Sequence, residues 1–263
     1  MRLRERVDAL HRRRAVRDGG RDRELDAEAA RPRSDRNPRA LHVQVRRRGR
    51  RTGEVLARLR LGVLGGAFNP PHIGHLVLAQ EALVRLELES VLFMPMGQAP
   101  HREIRDDPGA DVRVELCEAA VADDERFRVS TLETGRKGPS YTVDTLKALK
   151  KEGPKDELFW ILGGDQAARL RSWHEPEKVL EMCTVAVTER GAWRRAGVHV
   201  ALSGLRGADR IVYFDMPGIS VSSSLVRRRA ARGEPIRYLV PDRVAELIEE
   251  RGLYKTAEAV AAS

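Results

Sequence analysis

Short apolar runs alternate with amphipathic stretches along the chain from Leu61 onward. The apolar runs hold six to eight residues each and end at glycine, proline or charged residues, which is typical of buried strands. We predict strands at residues 61–66, 90–95, 127–133, 157–164, 183–190 and 210–215.

The amphipathic stretches repeat apolar residues at helical spacing. In the first of them, Leu76, Ala79, Leu83 and Leu86 form one stripe. Strands that alternate with helices are typical of the α/β class, so the pattern predicts a doubly wound parallel sheet. We predict helices at residues 74–86, 109–122, 141–153, 165–170, 176–181, 222–233 and 241–254.

The first 60 residues differ in composition from the rest. They hold 20 arginines, no lysine, no aromatic residue and 9 acidic residues, a net charge of +11, whereas residues 61–263 carry a net charge of −2. Such a segment cannot bury enough apolar surface to offset the entropy of ordering, so we expect disorder. We therefore divide the chain into an arginine-rich extension at 1–60, one domain at 61–254 and a frayed tail at 255–263.

The arginine-rich extension is open to three interpretations. It is an arm that contacts the phosphates of nucleic acid, a solvated tail, or a translation of GC-rich DNA ahead of a true start near Val55 or Leu61. No aromatic residue is interleaved for base stacking. Because composition alone is weak evidence of function, we favour an inert or artefactual segment over a nucleic-acid partner.

Two features bear on location. No apolar run reaches the roughly 20 residues of a membrane span, and the charged N-terminus lacks the apolar segment of a secretory signal. Cys117 and Cys183 do not form a CxxC motif, and we interpret both as small core residues. Together these features predict a cytoplasmic protein without a membrane partner.

The connection "GGAFNPPHIGH" at residues 65–75 has a composition suited to phosphate. It joins the first predicted strand to the first predicted helix, and ligands of open α/β sheets bind beyond the carboxyl ends of the strands. Gly65 and Gly66 lack side chains, so backbone N–H groups can approach a ligand closely. Pro70 and Pro71 stiffen the turn.

His72, Gly74 and His75 follow at the start of the helix. Gly74 keeps the helix start open, and the partial positive charge there suits a phosphate. The two histidines lie one turn apart, so their imidazoles share one face. The pattern indicates a polyphosphate whose reacting phosphorus lies near the histidines.

Two alternatives compete with this interpretation. One is a tight turn with two incidental histidines, and the other is a metal site, although no cysteine or carboxylate is spaced to complete one. The P-loop and the GxGxxG fingerprint are both absent from the sequence. We favour phosphate binding, because a tight turn alone does not explain this combination. The two histidines flank a glycine, follow a glycine pair and directly precede a helix.

The stretch "VSSSLVRRR" at residues 221–229 is the second candidate phosphate site. Ser222, Ser223 and Ser224 can cap a helix, and their hydroxyl and N–H groups suit phosphate oxygens. Arg227 lies one turn after Ser224. Three consecutive arginines in a first helical turn would oppose the helix dipole, and a bound anion would resolve that conflict. For the two arginines after Arg227 we prefer a solvated basic face.

Both stretches resemble motifs of the HxGH nucleotidyltransferase superfamily. "GGAFNPPHIGH" resembles its signature, and "SSSLVR" resembles its SSTxxR motif, with Ser224 in place of threonine. Members transfer a nucleotidyl group from ATP or CTP to a phosphate and release pyrophosphate. The resemblance implies a Rossmann-like HxGH nucleotidyltransferase fold, catalytic roles for His72 and His75, and triphosphate binding by the serines with Arg227. It also implies that the ATP site is shaped by Gly65, Gly66, Phe68, Asn69 and Gly74.

Three further segments resemble bacterial nicotinate mononucleotide adenylyltransferases. "GQAPHR" at 97–102 resembles their PPH[KR] loop with Ala99 in place of proline, and "GPSYTVDTL" at 138–146 resembles their SYTxxTL segment. "ILGGDQAARLRSWHEPEKVL" at 161–180 resembles their GxD…W segment. The resemblance covers about residues 61–254 and omits the first 60. It implies transfer of AMP from ATP to nicotinate mononucleotide, which yields deamido-NAD and pyrophosphate in NAD biosynthesis.

The same resemblance assigns the acceptor site. Trp173 would stack on the pyridine ring, and its alternative is a core tryptophan. Backbone N–H groups near Thr142 and Trp173–His174 would bind the nicotinate carboxylate, although Thr142 could equally be a helix N-cap. His101 and Arg102 would meet a substrate phosphate, or they belong to a solvated loop.

Asp165 would contact the adenosine ribose, with a helix N-cap as a compatible alternative, and we interpret Tyr141 as core. The acceptor phosphate is already ionised, so catalysis needs positioning and charge stabilisation rather than a strong base. Mg²⁺ would arrive with ATP, held by phosphate oxygens and by no protein ligand. The sequence does not determine whether the acceptor is nicotinate mononucleotide, nicotinamide mononucleotide or phosphopantetheine. It also does not determine the oligomeric state or the kinetic constants.

Overall fold

The computed structural model describes residues 58–100, 103–188 and 195–255. The extension up to residue 57, His101, Arg102 and the tail after residue 255 lie outside the described residues. The strands are β1 (Arg60–Gly66), β2 (Ser90–Pro95), β3 (Phe127–Val129), β4 (Glu157–Gly163), β5 (Thr184–Thr188) and β6 (Ile211–Phe214). The helices are α1 (Ile73–Arg85), α2 (Ala110–Val121), α3 (Thr142–Glu152), α4 (Gly164–Ala167), α5 (Pro176–Met182), α6 (Arg195–Leu202), α7 (Ser223–Ala231) and α8 (Asp242–Glu250).

The strands form one sheet in the order β3-β2-β1-β4-β5-β6, and every neighbouring pair is parallel. The predicted doubly wound parallel sheet is thereby confirmed. The strand order reverses between β1 and β4, which pair from Arg60–Glu157 to Leu64–Ile161. In sheets of this kind the reversal opens a crevice at the carboxyl ends of the strands, where ligands bind.

Both faces of the sheet are covered by helices. In β1, Leu61 and Val63 pack into one core cluster with residues of α3, α5 and α6, whereas Leu64 packs into a second cluster with residues of α1 and α2. Burial on both faces explains why the strands appear in the sequence as continuous apolar runs. A third cluster joins α2, α7 and α8 through Leu116, Val226 and Val244.

Two of the differences between the structure and the predicted elements are the end of β3 and helix α6. β3 ends at Val129 rather than at residue 133, because the Ser130 hydroxyl accepts the N–H of Leu132 at 3.2 Å and turns the chain. Helix α6 was not predicted; it is eight residues long, has Gly197 near its start, and buries only Val198 and Leu202. So short an apolar stripe gives little periodic signal.

The folded region reaches back beyond the predicted boundary at residue 61. Arg60 is the first residue of β1, and its Nη1 lies 2.8 Å from Glu157 Oε2 while its Nη2 donates to Leu86 O at 2.8 Å. Arg58 also pairs with Glu157. A chain starting at Leu61 would therefore lose ion pairs at the amino-terminal ends of β1 and β4 that a chain starting at Val55 keeps.

Candidate active site

Residues 65–75, here called the glycine–histidine turn, lie at the carboxyl end of β1, beside the carboxyl end of β4. The two leading glycines of this turn have a packing cause of their own. A Cβ on Gly65 would lie 2.8 Å from the Trp160 ring, and one on Gly66 would lie 3.3 Å from the Phe68 ring. Packing therefore already requires small residues here, and close approach of a ligand to this backbone stays a prediction.

His72 and His75 cap the N-terminus of α1 reciprocally. His72 is the N-cap residue, and its Nδ1 accepts the Gly74 N–H at 3.1 Å, while His75 Nδ1 accepts the His72 N–H at 3.2 Å. The two rings stack with centroids 3.8 Å apart. This confirms the prediction that the imidazoles share one face of the helix start.

These hydrogen bonds fix the tautomer of both rings. Because each Nδ1 of His72 and His75 accepts a backbone hydrogen, the neutral imidazoles carry their own hydrogen on Nε2. Each ring thus has an Nε2–H donor at a helix N-terminus, the end that favours anions. Such a pair of donors suits a phosphate oxygen that gains negative charge.

Gly74 makes room for the first of these rings. A Cβ at this position would lie 3.0 Å from both Cε1 and Nδ1 of His72. Phe68 packs on the other ring, with its centroid 5.0 Å from that of His75 in an edge-on arrangement. Phe68 is buried and holds a positive φ of 49°, a conformation that bulky residues adopt rarely. The spacing of this motif therefore has a packing cause as well as a chemical one.

Asn69 connects the turn to two distant parts of the chain. Its Nδ2 donates to Arg105 O at 2.7 Å and Asp106 O at 3.2 Å, and its Oδ1 accepts from the Tyr254 hydroxyl at 2.7 Å. The side chain is buried. Asn69 thus fixes the shape of the turn, and a direct contact of its side chain with ATP stays a prediction.

Helix α7 packs its N-terminus against the same turn. Ser222 is its N-cap residue and accepts the Leu225 N–H at 3.2 Å, as predicted. The Ser223 hydroxyl donates to Pro70 O at 2.8 Å across 153 positions of sequence. Ser224 is exposed. The two predicted phosphate motifs therefore meet in space, with two helix N-termini beside each other.

Arg227 strengthens the connection between the two motifs. Its Nη1 donates to Asn69 O at 2.8 Å, and its Nε lies 3.1 Å from Asp106 Oδ2. The argument from the helix dipole was wrong, because α7 starts at Ser223 and its three arginines follow the first turn. The last two lie near the C-terminus, where basic residues are favourable.

The predicted acceptor segments also lie next to one another. Ser140 joins two of them: its Oγ accepts the Gly97 N–H at 3.0 Å, and its backbone N–H donates to Gln98 O at 2.8 Å. A Cβ on Gly97 would lie 2.4 Å from Glu133 O, so this position requires glycine. The "GQAPHR" and "GPSYTVDTL" segments therefore form one unit, while the structure does not describe His101 and Arg102.

The third acceptor segment contacts that unit through aromatic rings. Tyr141 and His174 have ring centroids 4.4 Å apart, and Trp173 is half-buried against the first core cluster. The Trp173 N–H donates to Leu170 O at 3.0 Å. Trp173 is thus partly a core residue, and its own N–H has a partner within the chain. Stacking of its ring on a pyridine stays a prediction.

Two alternative capping assignments were wrong. Tyr141, which is half-buried rather than fully core, is the N-cap residue of α3, so Thr142 is the first helical residue. Asp165 is the second residue of α4, whose N-cap is Gly163, because β4 continues in extended conformation into the helix. Asp165 is exposed directly after β4, at the reversal of strand order.

Two further side chains shape the site and escaped the sequence-based prediction. Arg113 of α2 is fully buried and hydrogen-bonds to the ends of β1 and β2, and Tyr254 donates to Asn69. Burial raises the pKa of the Tyr254 hydroxyl, so it stays a donor at neutral pH. Arg113 precedes Leu116 and Cys117 by three and four residues, so the helical spacing places a charge on an apolar helix face. This pattern could have identified Arg113 as a buried residue.

Within the described ranges, no group of three or more His, Cys, Asp or Glu side chains is placed to hold a metal ion. No helix in the same ranges is long and apolar enough to cross a membrane. The glycine–histidine turn and the start of α7 offer the imidazoles of His72 and His75, serine hydroxyl groups and the guanidinium of Arg227. This donor set suits a polyanion whose own oxygens carry any metal ion.

Comparison with known proteins identifies the family of this chain. The sequence model of the cytidylyltransferase-like family matches residues 63–229. A protein from Shouchella clausii named "probable nicotinate-nucleotide adenylyltransferase" is 39% identical over 195 residues, which cover 74% of this chain and 96% of that protein. A protein of the same name from Exiguobacterium sibiricum is 41% identical over 198 residues, 75% of this chain and 100% of that protein. The chain belongs to the nicotinate-nucleotide adenylyltransferase family.

The fold of this family member is also that of a solved structure. Nicotinic acid mononucleotide adenylyltransferase from Plasmodium falciparum, complexed with NaAD, superposes with a TM-score of 0.63 at 17% identity. The superposition covers 75% of this chain and 98% of that one. At this identity the likeness extends to the fold, the Rossmann-like arrangement that the sequence predicts.

Proposed function

We propose that the protein transfers AMP from ATP to nicotinate mononucleotide, which yields nicotinate adenine dinucleotide and pyrophosphate in NAD biosynthesis. One observation carries this proposal above the others. The hydrogen bonds from Ser223 to Pro70 O and from Arg227 to Asn69 O hold two phosphate-type motifs together at the reversal of strand order. That arrangement gives a triphosphate two helix N-termini and an arginine.

The positions of these donors support the following reaction. A phosphate oxygen of the acceptor forms a bond to the α-phosphorus of ATP, while the bond from that phosphorus to the bridging oxygen of pyrophosphate breaks and its electron pair leaves with pyrophosphate. His72 and His75 donate Nε2–H groups to the α-phosphate oxygens as charge develops. The serines at the start of α7 and Arg227 hold the departing β- and γ-phosphates. Donors fixed in advance stabilise such charge without reorganising.

The acceptor binds between the three joined segments. Trp173 stacks on the pyridine ring, and the backbone N–H groups of Thr142 and His174 bind the carboxylate of that ring. The backbone N–H of Trp173 is not assigned to the carboxylate, because it donates to Leu170 O. Thr142 is the first residue of α3, where backbone N–H groups have no partner within the helix. His101 and Arg102 meet the phosphate of the acceptor.

Asp165 contacts the adenosine ribose from the end of β4. Mg²⁺, held by the phosphate oxygens of ATP, supplies neutralisation of their charge. The substrates are thus small molecules, without nucleic acid. The proposed location is the cytoplasm, and the proposal specifies no oligomeric state.

Pyrophosphate release with Mg-ATP tests the proposal. Nicotinate mononucleotide, nicotinamide mononucleotide and phosphopantetheine are offered separately at equal concentration. The proposal requires the highest kcat/KM with the first. A preference for nicotinamide mononucleotide would refute the assigned carboxylate contacts, and a preference for phosphopantetheine would refute the roles of Trp173 and Thr142.

A further inference from the structure

Arg113 is a buried charge that the reaction described above does not use. It lies in α2, its Nη1 reaches the carboxyl ends of β1 and β2, and its side chain is 1% exposed. A guanidinium removed from water is costly unless all of its donors are paired. The hydrogen-bond partners of Arg113 therefore indicate which parts of the chain this residue positions.

The donors of Arg113 reach separate parts of the chain. Its Nη1 donates to Met96 O at 2.7 Å and to Ala67 O at 3.1 Å, and its Nη2 donates to Gly97 O at 3.3 Å. Its Nε lies 2.9 Å from Asp107 Oδ1. Only a planar fork with several donors makes all of these contacts, since a lysine ammonium is a single point.

Two of these four partners are the ends of one segment. Residues 97–107, here called the acceptor segment, begin at Gly97 and end at Asp107, and both ends bind Arg113. Met96 directly precedes this segment, and Ala67 lies in the glycine–histidine turn ahead of its histidines. Arg113 thus ties the acceptor segment and the catalytic turn to one buried group.

We propose that Arg113 is a positioning residue that sets the affinity for the acceptor mononucleotide by holding the acceptor segment against the turn. The inference rests on the proposed function, because His101 and Arg102 of this segment are the groups expected to meet the acceptor phosphate. Arg113 binds both ends of the segment and the start of the turn.

Asp107→Ala is the sharpest test, because it cuts the tether at one end and leaves the three carbonyl contacts of Arg113. Asp124→Ala is its matched control. Asp124 Oδ1 accepts from Arg126 Nε at 2.9 Å and from a backbone N–H two residues on at 3.0 Å. Asp107 Oδ1 makes the same pair of bonds, to Arg113 Nε at 2.9 Å and to the Gly109 N–H at 3.0 Å.

Steady-state kinetics with ATP and nicotinate mononucleotide give the readout. We expect Asp107→Ala to raise the KM for nicotinate mononucleotide about tenfold, the scale of one hydrogen bond to a charged group. The KM for ATP should stay within about twofold, and Asp124→Ala should change neither constant by more than that. Arg113→Lys, which keeps the charge but loses the fork, should raise the acceptor KM in the same direction.

Hydrogen exchange of the ligand-free protein supplies a second readout. Amides of residues 103–107 should exchange faster in Asp107→Ala than in the wild type, without a change in Asp124→Ala. An active wild type whose acceptor KM is unaltered by Asp107→Ala, or altered together with the KM for ATP, would overturn the inference alone. A wild type that releases no pyrophosphate with nicotinate mononucleotide would overturn the proposed function, and the inference with it.

Discussion

Replacement of His75 separates the structural role of this residue from its chemical one. His75 is the third residue of α1, and its Nδ1 accepts the N–H of the N-cap residue His72. Glutamine at this helical position accepts the same N–H in a capping box. His75→Gln therefore keeps the cap and removes the imidazole, whereas His75→Ala removes both.

The structure sets the size of each effect. His75→Ala loses a capping hydrogen bond, about 1 kcal/mol, and ring packing against Phe68 and His72, about another 1 kcal/mol. Alanine recovers about 0.5 kcal/mol through its helix propensity. The net loss of about 1.5 kcal/mol lowers Tm by about 3–6 °C, and His75→Gln should lose about half as much. Both variants should lose about 100-fold in kcat, because each lacks the Nε2–H donor.

Pyrophosphate release and thermal unfolding, measured on the same preparations, check the argument. The expected pattern is unequal stability with equal loss of turnover. Near-normal kcat in either folded variant would refute the role of His75 at the α-phosphate. A glutamine variant less stable than the alanine variant would refute the capping analysis.

Three other predictions concern charged or buried side chains. Asp106→Asn should lower the KM for ATP about two- to fivefold, because a mostly exposed carboxylate that competes with the triphosphate for Arg227 is worth at most about 1 kcal/mol; an unchanged KM would contradict this competition. Burial raises the pKa of Glu133, so ionisation of this carboxyl opposes folding. The contribution of Glu133 to the free energy of unfolding is fully present below its ordinary pKa of 4.5, and it declines as the pH rises through the raised pKa. The Tm advantage of Glu133→Gln should accordingly be larger at pH 8 than at pH 4.5, and an equal advantage at both would refute the analysis. Burial also raises the pKa of Cys183 to about 12 and raises that of Cys117, so a thiol reagent at pH 8 should label neither cysteine in the folded protein and both after unfolding; rapid labelling of the folded protein would contradict their placement.

Local patterns were sufficient for most of the fold. The strands are buried on both faces and the helices carry stripes, so their positions followed from periodicity. Helix α6 was missed because Val198 and Leu202 are its only buried residues. The end of β3 depends on the Ser130 hydroxyl, which no apolar pattern reports.

The sequence was sufficient to predict the motifs of the candidate site, but not how these motifs contact one another in space. The Ser223–Pro70 and Tyr254–Asn69 hydrogen bonds join residues more than 150 positions apart, and no local signal encodes such a pairing. Arg113 was overlooked because a single arginine in a helix is usually solvated. His101 and Arg102 lie outside the described residues, so their contacts with phosphate stay predictions.

The central claim is that the acceptor attacks the α-phosphorus of ATP. The most direct measurement offers the protein nicotinate mononucleotide with ATP labelled at either the α- or the γ-phosphate and separates the products. The account predicts that the α-label appears in a dinucleotide and the γ-label in pyrophosphate. A γ-label recovered in phosphate or on the acceptor, with ADP formed, would contradict it.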